Sequence, residues 1–179
     1  PRAGDWNVYF GDIHNHSAEM PDGSESGCGI GSRAGNYSYA RGAGGLDFYA
    51  LTEHDFQLAP CQYSEFLALA DRYNDDGRFV CLPAFEHTNL FYGHRNIYFR
   101  DSGGVVVHSN RKDEPNQMEL EQCRTPAELW QALEAADVKF FSLPHHTSAT
   151  SHPFNWDLFH PEHDRLIEVL ESWGSSEYY

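Results

Sequence analysis

Two histidines at a spacing of two, His14 and His16, follow a β-prone stretch over residues 8–13. At the end of an extended strand, positions i and i+2 point to the same side, so both imidazoles can face one ion. Neutral imidazole nitrogen is a preferred donor for zinc and its neighbouring transition metals. The pair therefore predicts a strand that opens a metal-dependent hydrolase site, with further ligands at the ends of other apolar runs. Asp22 lies six residues beyond His16, His54 follows the run at 46–52, and Glu86 follows the run at 78–85. His145 follows the run at 139–143, and His94 opens the alternating stretch at 93–99. Any one of these is an ordinary loop residue or helix cap; five or six at successive run ends form a constellation.

The elements that must hold them are readable from pattern. A helix is expected at 36–41, stopped by the glycine-rich 42–45, and a second at 64–74 with Phe66, Leu67, Ala70 and Tyr73 on one face. Thr125, Pro126 and Glu128 spell an N-cap, a first-turn proline and a capping-box acid, so a third helix is expected from 126. Strands are expected at 8–13, 46–52, 78–85, 93–99, 105–107, 139–143 and 166–170. The stretches 17–35, 110–123 and 147–164 read as long or irregular loops. Strands alternating with helices, with chemistry at the strand ends, predict an α/β fold whose site lies at the carboxyl face of a parallel sheet or barrel.

Composition narrows the partners. Asp and Glu number 27 against 12 Lys and Arg, for a net charge of −15, which repels a nucleic-acid backbone. A small substrate is expected, and no apolar stretch is long enough for a membrane helix. That leaves the cytoplasm, the periplasm or the outside of the cell open as compartments. The 12 Phe, 10 Tyr and 4 Trp suffice for a packed core. The four cysteines show no C-x-x-C pair, so a zinc ribbon is excluded. Cys81 reads as core, and Cys28 and Cys61 could pair in an oxidising compartment.

Four segments together carry a family resemblance: Asp12-Ile13-His14-Asn15-His16 with Asp22-Gly23 beyond it, Thr52-Glu53-His54-Asp55, Ala84-Phe85-Glu86, and Leu143-Pro144-His145. In order and spacing the chain resembles the PHP (polymerase and histidinol phosphatase) superfamily of metal-dependent phosphoesterases. The resemblance implies a distorted (β/α)7 barrel formed by a single domain over 1–179, incomplete at the C-terminus of this chain and continuing past residue 179. It also implies up to three divalent ions, zinc, manganese or iron. His14, His16 and Glu86 would hold one ion, with Asp22, His54 and His145 serving its neighbours and His94 matching a further family histidine. The family's closing Asp-x-His pair has no match before Tyr179. Clustered ions neutralise phosphate oxygens and lower the pKa of a bound water. In that chemistry His54 and His146 are the expected catalytic residues, with His108 a second candidate acid. Arg95 is the expected contact to a small phosphorylated substrate, with Arg41 a further candidate.

Two other readings compete. One is an amidohydrolase-like enzyme acting on a non-phosphate bond; such enzymes place a lysine at a strand end, and neither Lys112 nor Lys139 follows an apolar run. The other is a non-catalytic module stabilised by metal.

Overall fold

The computed structural model describes residues 2–109, 122–123, 125–149 and 154–177. Most of the stretch expected to be irregular at 110–123, including Lys112, lies outside the described residues, as do residues 150–153 of the second long loop. Two short strands, β1 (Arg2–Ala3) and β2 (Trp6–Asn7), make an antiparallel lead-in. The first apolar run then pairs as a strand only at β3 (Gly11–Asp12). Its neighbours are β4 (Phe48–Tyr49) and β5 (Val80–Cys81), and the three are parallel in the order β3-β4-β5.

Helices fill the two crossovers. α1 (Arg33–Arg41) begins three residues earlier than its apolar pattern suggests, because the Ser32 side chain accepts from Gly35 N and caps it. α2 (Tyr63–Tyr73) buries Phe66, Leu67 and Ala70, the face read from its periodicity. These residues join Tyr37 and Ala40 of α1, Leu51, Phe85 and Ile97 in the main core. Each fully buried side chain of the size of Leu67 or Phe85 contributes roughly 1.5–3 kcal/mol.

The run at 78–85 is not one strand. It breaks at Leu82-Pro83 and resumes as β6 (Ala84–His87) in a second sheet. Pro83 has no N–H to give, and its carbonyl accepts from Phe99 N at 2.8 Å. β6 pairs antiparallel with β7 (His94–Phe99), and β7 pairs antiparallel with β10 (Phe140–His145). Between them in the chain lie β8 (His108–Ser109), its parallel partner β9 (Gln122–Cys123), and α3 (Pro126–Ala135). The expected strand at 105–107 is displaced to β8. At the start of α3 the Thr125 side chain accepts from Glu128 N and the Glu128 carboxylate accepts from Thr125 N, as the capping-box pattern requires. The expected strand at 166–170 survives only in β11 (Leu170–Glu171), hairpinned to β12 (Gly174–Ser175).

These pairings overturn the (β/α)7 barrel. Among the described residues there are three α-helices, five small sheets and no closure. The reason is a connection length. Six residues, 88–93, separate β6 from β7. A parallel return needs a crossover of a dozen residues or more, so these two strands can pair only antiparallel. The molecule is a mixed α/β structure in which a short parallel sheet leads into an antiparallel one. No helix among the described residues is long and apolar enough to cross a membrane.

Candidate metal centre

The carboxyl ends of β3 and β4, the end of β6 and the β7–β10 pair all meet at Glu86. It is 0% exposed. The parallel bridge from His54 to Glu86 puts the second and third run ends side by side, and the antiparallel register pairs His145 with His94. The result is an imidazole shell around one carboxylate. Glu86 Oε2 lies 3.4 Å from His14 Nε2, 3.3 Å from His16 Nε2 and 3.3 Å from His145 Nε2. Glu86 Oε1 lies 2.9 Å from His54 Nδ1 and 3.0 Å from His94 Nδ1, and accepts from Thr88 Oγ1 at 2.9 Å.

The spacing around Oε2 is that of co-ligands. Two donors each about 2.1 Å from a tetrahedral ion stand about 3.4 Å apart. Among the described residues Oε2 has no hydrogen-bond partner and is buried, and neither ring nitrogen of buried His145 has one. Buried polar atoms left in that state are rare and call for a missing partner. His14, His16 and Glu86 place one ligand atom each within 4.8 Å of one another; so do His14, His145 and Glu168, and so do His94, His145 and His146. The donor set of imidazole and carboxylate suits zinc, manganese or iron.

Charge around the centre follows from burial and pairing. Burial alone would lift the Glu86 carboxyl, but His54 and His145 outweigh it and hold it well below the usual carboxylate range. Burial keeps the His145 ring well below its ordinary pKa, reinforced by His14, and also lowers His54. His14 goes the other way. Burial opposes its charged form, yet Glu168 and then Glu86 push it up to about 10. His14 Nδ1 sits 2.7 Å from Glu168 Oε2. With its Nε2 turned to Glu86, this is the carboxylate–histidine pairing that fixes which ring nitrogen carries the proton and which faces an ion.

A second layer holds the histidine-bearing segments. Glu53 is fully buried and accepts from Ser17 N at 3.2 Å, from Ser17 Oγ and from Arg33 Nε at 3.2 Å. Arg33 also donates to Gln57 O at 2.8 Å. The residue after His16 is thereby tied to the residue before His54, and the two rings stack with centroids 4.1 Å apart. Gly29 lets the first long loop close on this layer: a Cβ there would meet the His16 carbonyl.

The centre opens into a cleft of about 640 Å³. Phe56, Leu90 and Trp173 supply its apolar lining; Glu168 and Glu171 add acid to Glu86. Among the described residues no lysine or arginine lines it.

Of the residues expected from sequence, the structure brings together His14, His16, His54, Glu86, His94, His145 and His146. The other candidates lie elsewhere. Asp22 is exposed, and its Oδ1 accepts from Ser24 N at 2.9 Å and Ser24 Oγ at 2.6 Å, capping its own turn. Arg95 is wholly buried away from the cleft. It pairs with Asp164 at 3.3 Å, donates to Gly93 O and Leu158 O, and lies over the rings of Phe154 and Trp130. Its side chain falls on the opposite face of β7 from His94, as strand alternation demands. His108 is also buried outside the cleft lining, its ring 5.5 Å from that of Tyr63. Arg41 pairs at the surface with Asp75, and Cys28, Cys61 and Cys81 are free thiols. Glu168 and Glu171 both lie at the cleft. Both face it, because the largely exposed segment 166–171 runs along the cleft rim into β11 rather than as a buried strand.

Residues 46–165 match the family described as protein of unknown function DUF3604. The chain belongs to that family. It is also similar to an uncharacterised protein of Chlamydia pneumoniae, 26% identical over 141 residues, 78% of this chain and 21% of that protein. A Chlamydia trachomatis relative is 21% identical over 141 residues with the same coverage. The chain thus spans about a fifth of the length of the curated relatives it matches. No solved structure matches it. The matched segment contains His54, Glu86, His94, His145 and His146, but not His14 and His16.

Proposed function

We propose that this DUF3604 chain is a metal-dependent hydrolase acting on phosphate esters at a multinuclear centre. The observation that supports it most is the ring of three imidazole Nε2 atoms, from His14, His16 and His145, at 3.3–3.4 Å from one unsatisfied oxygen of Glu86. The resemblance of the run ends to PHP phosphoesterases supplies the reaction class. His14, His16 and Glu86 would hold one divalent ion, with His54 and His94 on the other oxygen of Glu86. Such ions supply a water of lowered pKa and a Lewis-acid contact to the substrate oxygen. The chain's own part is placement. Glu168 orients His14, Glu53 and Arg33 fix the gap between His16 and His54, and Phe56, Leu90 and Trp173 offer an apolar wall to the unreactive part of the substrate.

The absence of cationic residues from the described cleft lining, now that Arg95 is placed elsewhere, favours one further reading: hydrolysis of an uncharged ester or amide. One experiment separates them. Protein stripped with chelator and reloaded with zinc, manganese or iron is assayed on a phosphomonoester, a phosphodiester, a carboxylic ester and an amide. Turnover of a phosphate ester that His54→Ala abolishes supports the first reading; turnover of the ester or amide alone selects the second. Metal at a thousand times its dissociation constant should raise stability by about 4 kcal/mol, a midpoint shift of roughly 10 °C. No retained metal and an unmoved melting curve would sink both.

A further inference from the structure

We propose that the substrate of this cleft is cationic at its unreactive end, where Glu171 and the Trp173 ring hold an ammonium group that has an N–H to give. The proposal rests on the reading above for calling the occupant a substrate. The ammonium site itself stands on the turn between β11 and β12, outside the Glu86 centre.

Among the described residues three carboxylates line the cleft, and they are not equivalent. Glu86 is ringed by imidazoles. Glu168 gives its Oε2 to His14 Nδ1 at 2.7 Å. Glu171 is held by its own turn, its Oε2 accepting from Trp173 N at 2.8 Å. The Glu171 side chain is only 9% exposed, and its Oε1 is buried with no hydrogen-bond partner among the described residues. His146 Nδ1 comes to 3.3 Å from that oxygen without hydrogen-bonding it. A buried carboxylate oxygen in that state calls for a donor, and a cationic donor binds it more strongly than a neutral one.

The same turn supplies the second half of the site. Trp173 lines the cleft yet is 60% exposed, so its ring is not spent on core packing. The bond from its backbone N–H keeps that ring two residues from the Glu171 carboxylate. An indole face attracts an ammonium ion better than the faces of tyrosine or phenylalanine do.

The rest of the cleft narrows the choice of occupant. No lysine or arginine among the described residues lines it, and the chain carries a net charge of −15. An anionic tail is therefore repelled at the rim. An uncharged apolar tail would cover the Trp173 ring but leave Glu171 Oε1 without a donor. A quaternary ammonium would meet the ring but has no N–H to give. A primary or secondary amine, protonated at neutral pH, satisfies both groups. With that end at the rim, the acidic field of the cleft draws the substrate in, and the scissile group is left to the Glu86 centre.

The test is fragment binding to chelator-stripped protein, so that neither metal nor turnover enters the readout. n-Butylammonium, tetramethylammonium, n-butanol and butyrate are titrated separately, following the indole N–H resonance that disappears in Trp173→Phe. In the wild type n-butylammonium should bind roughly tenfold more tightly than each of the other three. Glu171→Gln, a near-isosteric change, should bring n-butylammonium down to the affinity of n-butanol with the melting curve unmoved. Trp173→Leu, followed by calorimetry, should weaken it by about threefold to tenfold. Equal affinity for n-butylammonium and n-butanol in the wild type, or full n-butylammonium affinity in folded Glu171→Gln, would overturn the ammonium site. Tetramethylammonium as tight as n-butylammonium would overturn the contact to Oε1. Metal uptake without amine selectivity leaves the hydrolase reading standing. Amine selectivity in a protein that takes up no metal overturns the hydrolase reading and, with it, the occupant's being a substrate.

Discussion

Glu86 and Asp164 are both fully buried carboxylates in the same half of the molecule, and their surroundings differ in one respect. Asp164 is satisfied. Its Oδ1 accepts from Ser142 Oγ at 2.6 Å and Arg95 Nε at 3.3 Å, its Oδ2 from His160 N at 2.8 Å. Arg95 spends its remaining donors on two carbonyls between two aromatic rings. Glu86 has more partners by count but keeps an unsatisfied oxygen, facing imidazoles spaced as co-ligands. A closed network of this kind locks structure. An open one, equally buried, leaves acceptor capacity that an added group could use. Burial and charge alone do not separate the two; hydrogen-bond completeness does.

The comparison breaks most visibly at Arg95. Removing one partner of a buried pair leaves the other charge uncompensated, at a cost of about 3–5 kcal/mol. Arg95→Met should therefore lose about that much stability in urea denaturation, and adding Asp164→Asn should recover a large part, since no bare charge then remains. Metal content per folded molecule should survive both changes. A loss of metal equal to that of Glu86→Gln, with stability intact, would place Arg95 in the centre after all.

His108 sharpens the contrast from a third side, being buried with neither a closed network nor co-ligands around it among the described residues. Neither ring nitrogen is hydrogen-bonded to a described residue, and burial pulls its pKa down to about 4. The unfolded ring titrates near 6.5. Between those values the unfolded chain binds the proton and the folded chain does not, so stability falls as pH drops from about 6.5 to about 4, and this contribution is flat below. Linkage puts the loss on the order of 2–3 kcal/mol. His108→Gln should remove that share of the acid sensitivity when denaturation midpoints at pH 7 and pH 4.5 are compared. Equal acid sensitivity in both proteins would mean that the ring is already protonated or solvated in the folded state.

The clustering of these side chains was legible because polar groups at run ends are a one-dimensional signal: His14-x-His16, His54, Glu86 and His145 each follow an apolar stretch. The helices were legible for the same reason, from Phe66-Leu67-Ala70 and from the Thr125-Pro126-x-Glu128 cap. What one dimension hides is pairing direction and which loop residues face inward. The six-residue link between β6 and β7 did contain the evidence against a barrel, yet the alternation of strands and helices elsewhere pointed the other way. Arg95 follows His94 directly, and a period-two strand sends neighbours to opposite faces, so its removal from the cleft was foreseeable. The inward turn of both Glu168 and Glu171 was not, because it depends on contacts to His14 and His146 more than twenty residues away in the chain. Glu53 hid in plain sight as well: a carboxylate beside a candidate ligand reads as another ligand or as solvent-facing, and only its bonds to Ser17 and Arg33 make it a clamp.

Asp22 gives the comparison its smallest and cleanest test. By type and spacing it belongs with Glu86; by surroundings it belongs with neither Glu86 nor Asp164. Hydrogen bonds from the Ser24 side chain and then its backbone hold the Asp22 carboxyl below its ordinary range while it remains exposed to water. Both donors come from its own turn, and nothing from the centre reaches it. If completeness and burial decide which carboxylates meet an ion, Asp22→Ala should leave zinc stoichiometry and affinity where they are in wild type, while Glu86→Gln lowers the zinc content measured in the same way. The loop carrying Asp22 is anchored beside the centre through Ser17 and Gly29, so a metal-driven closure that swung the carboxylate inward would show as a lost or weakened equivalent in Asp22→Ala. That result would add Asp22 to the ligand set and return to it the role its spacing suggests.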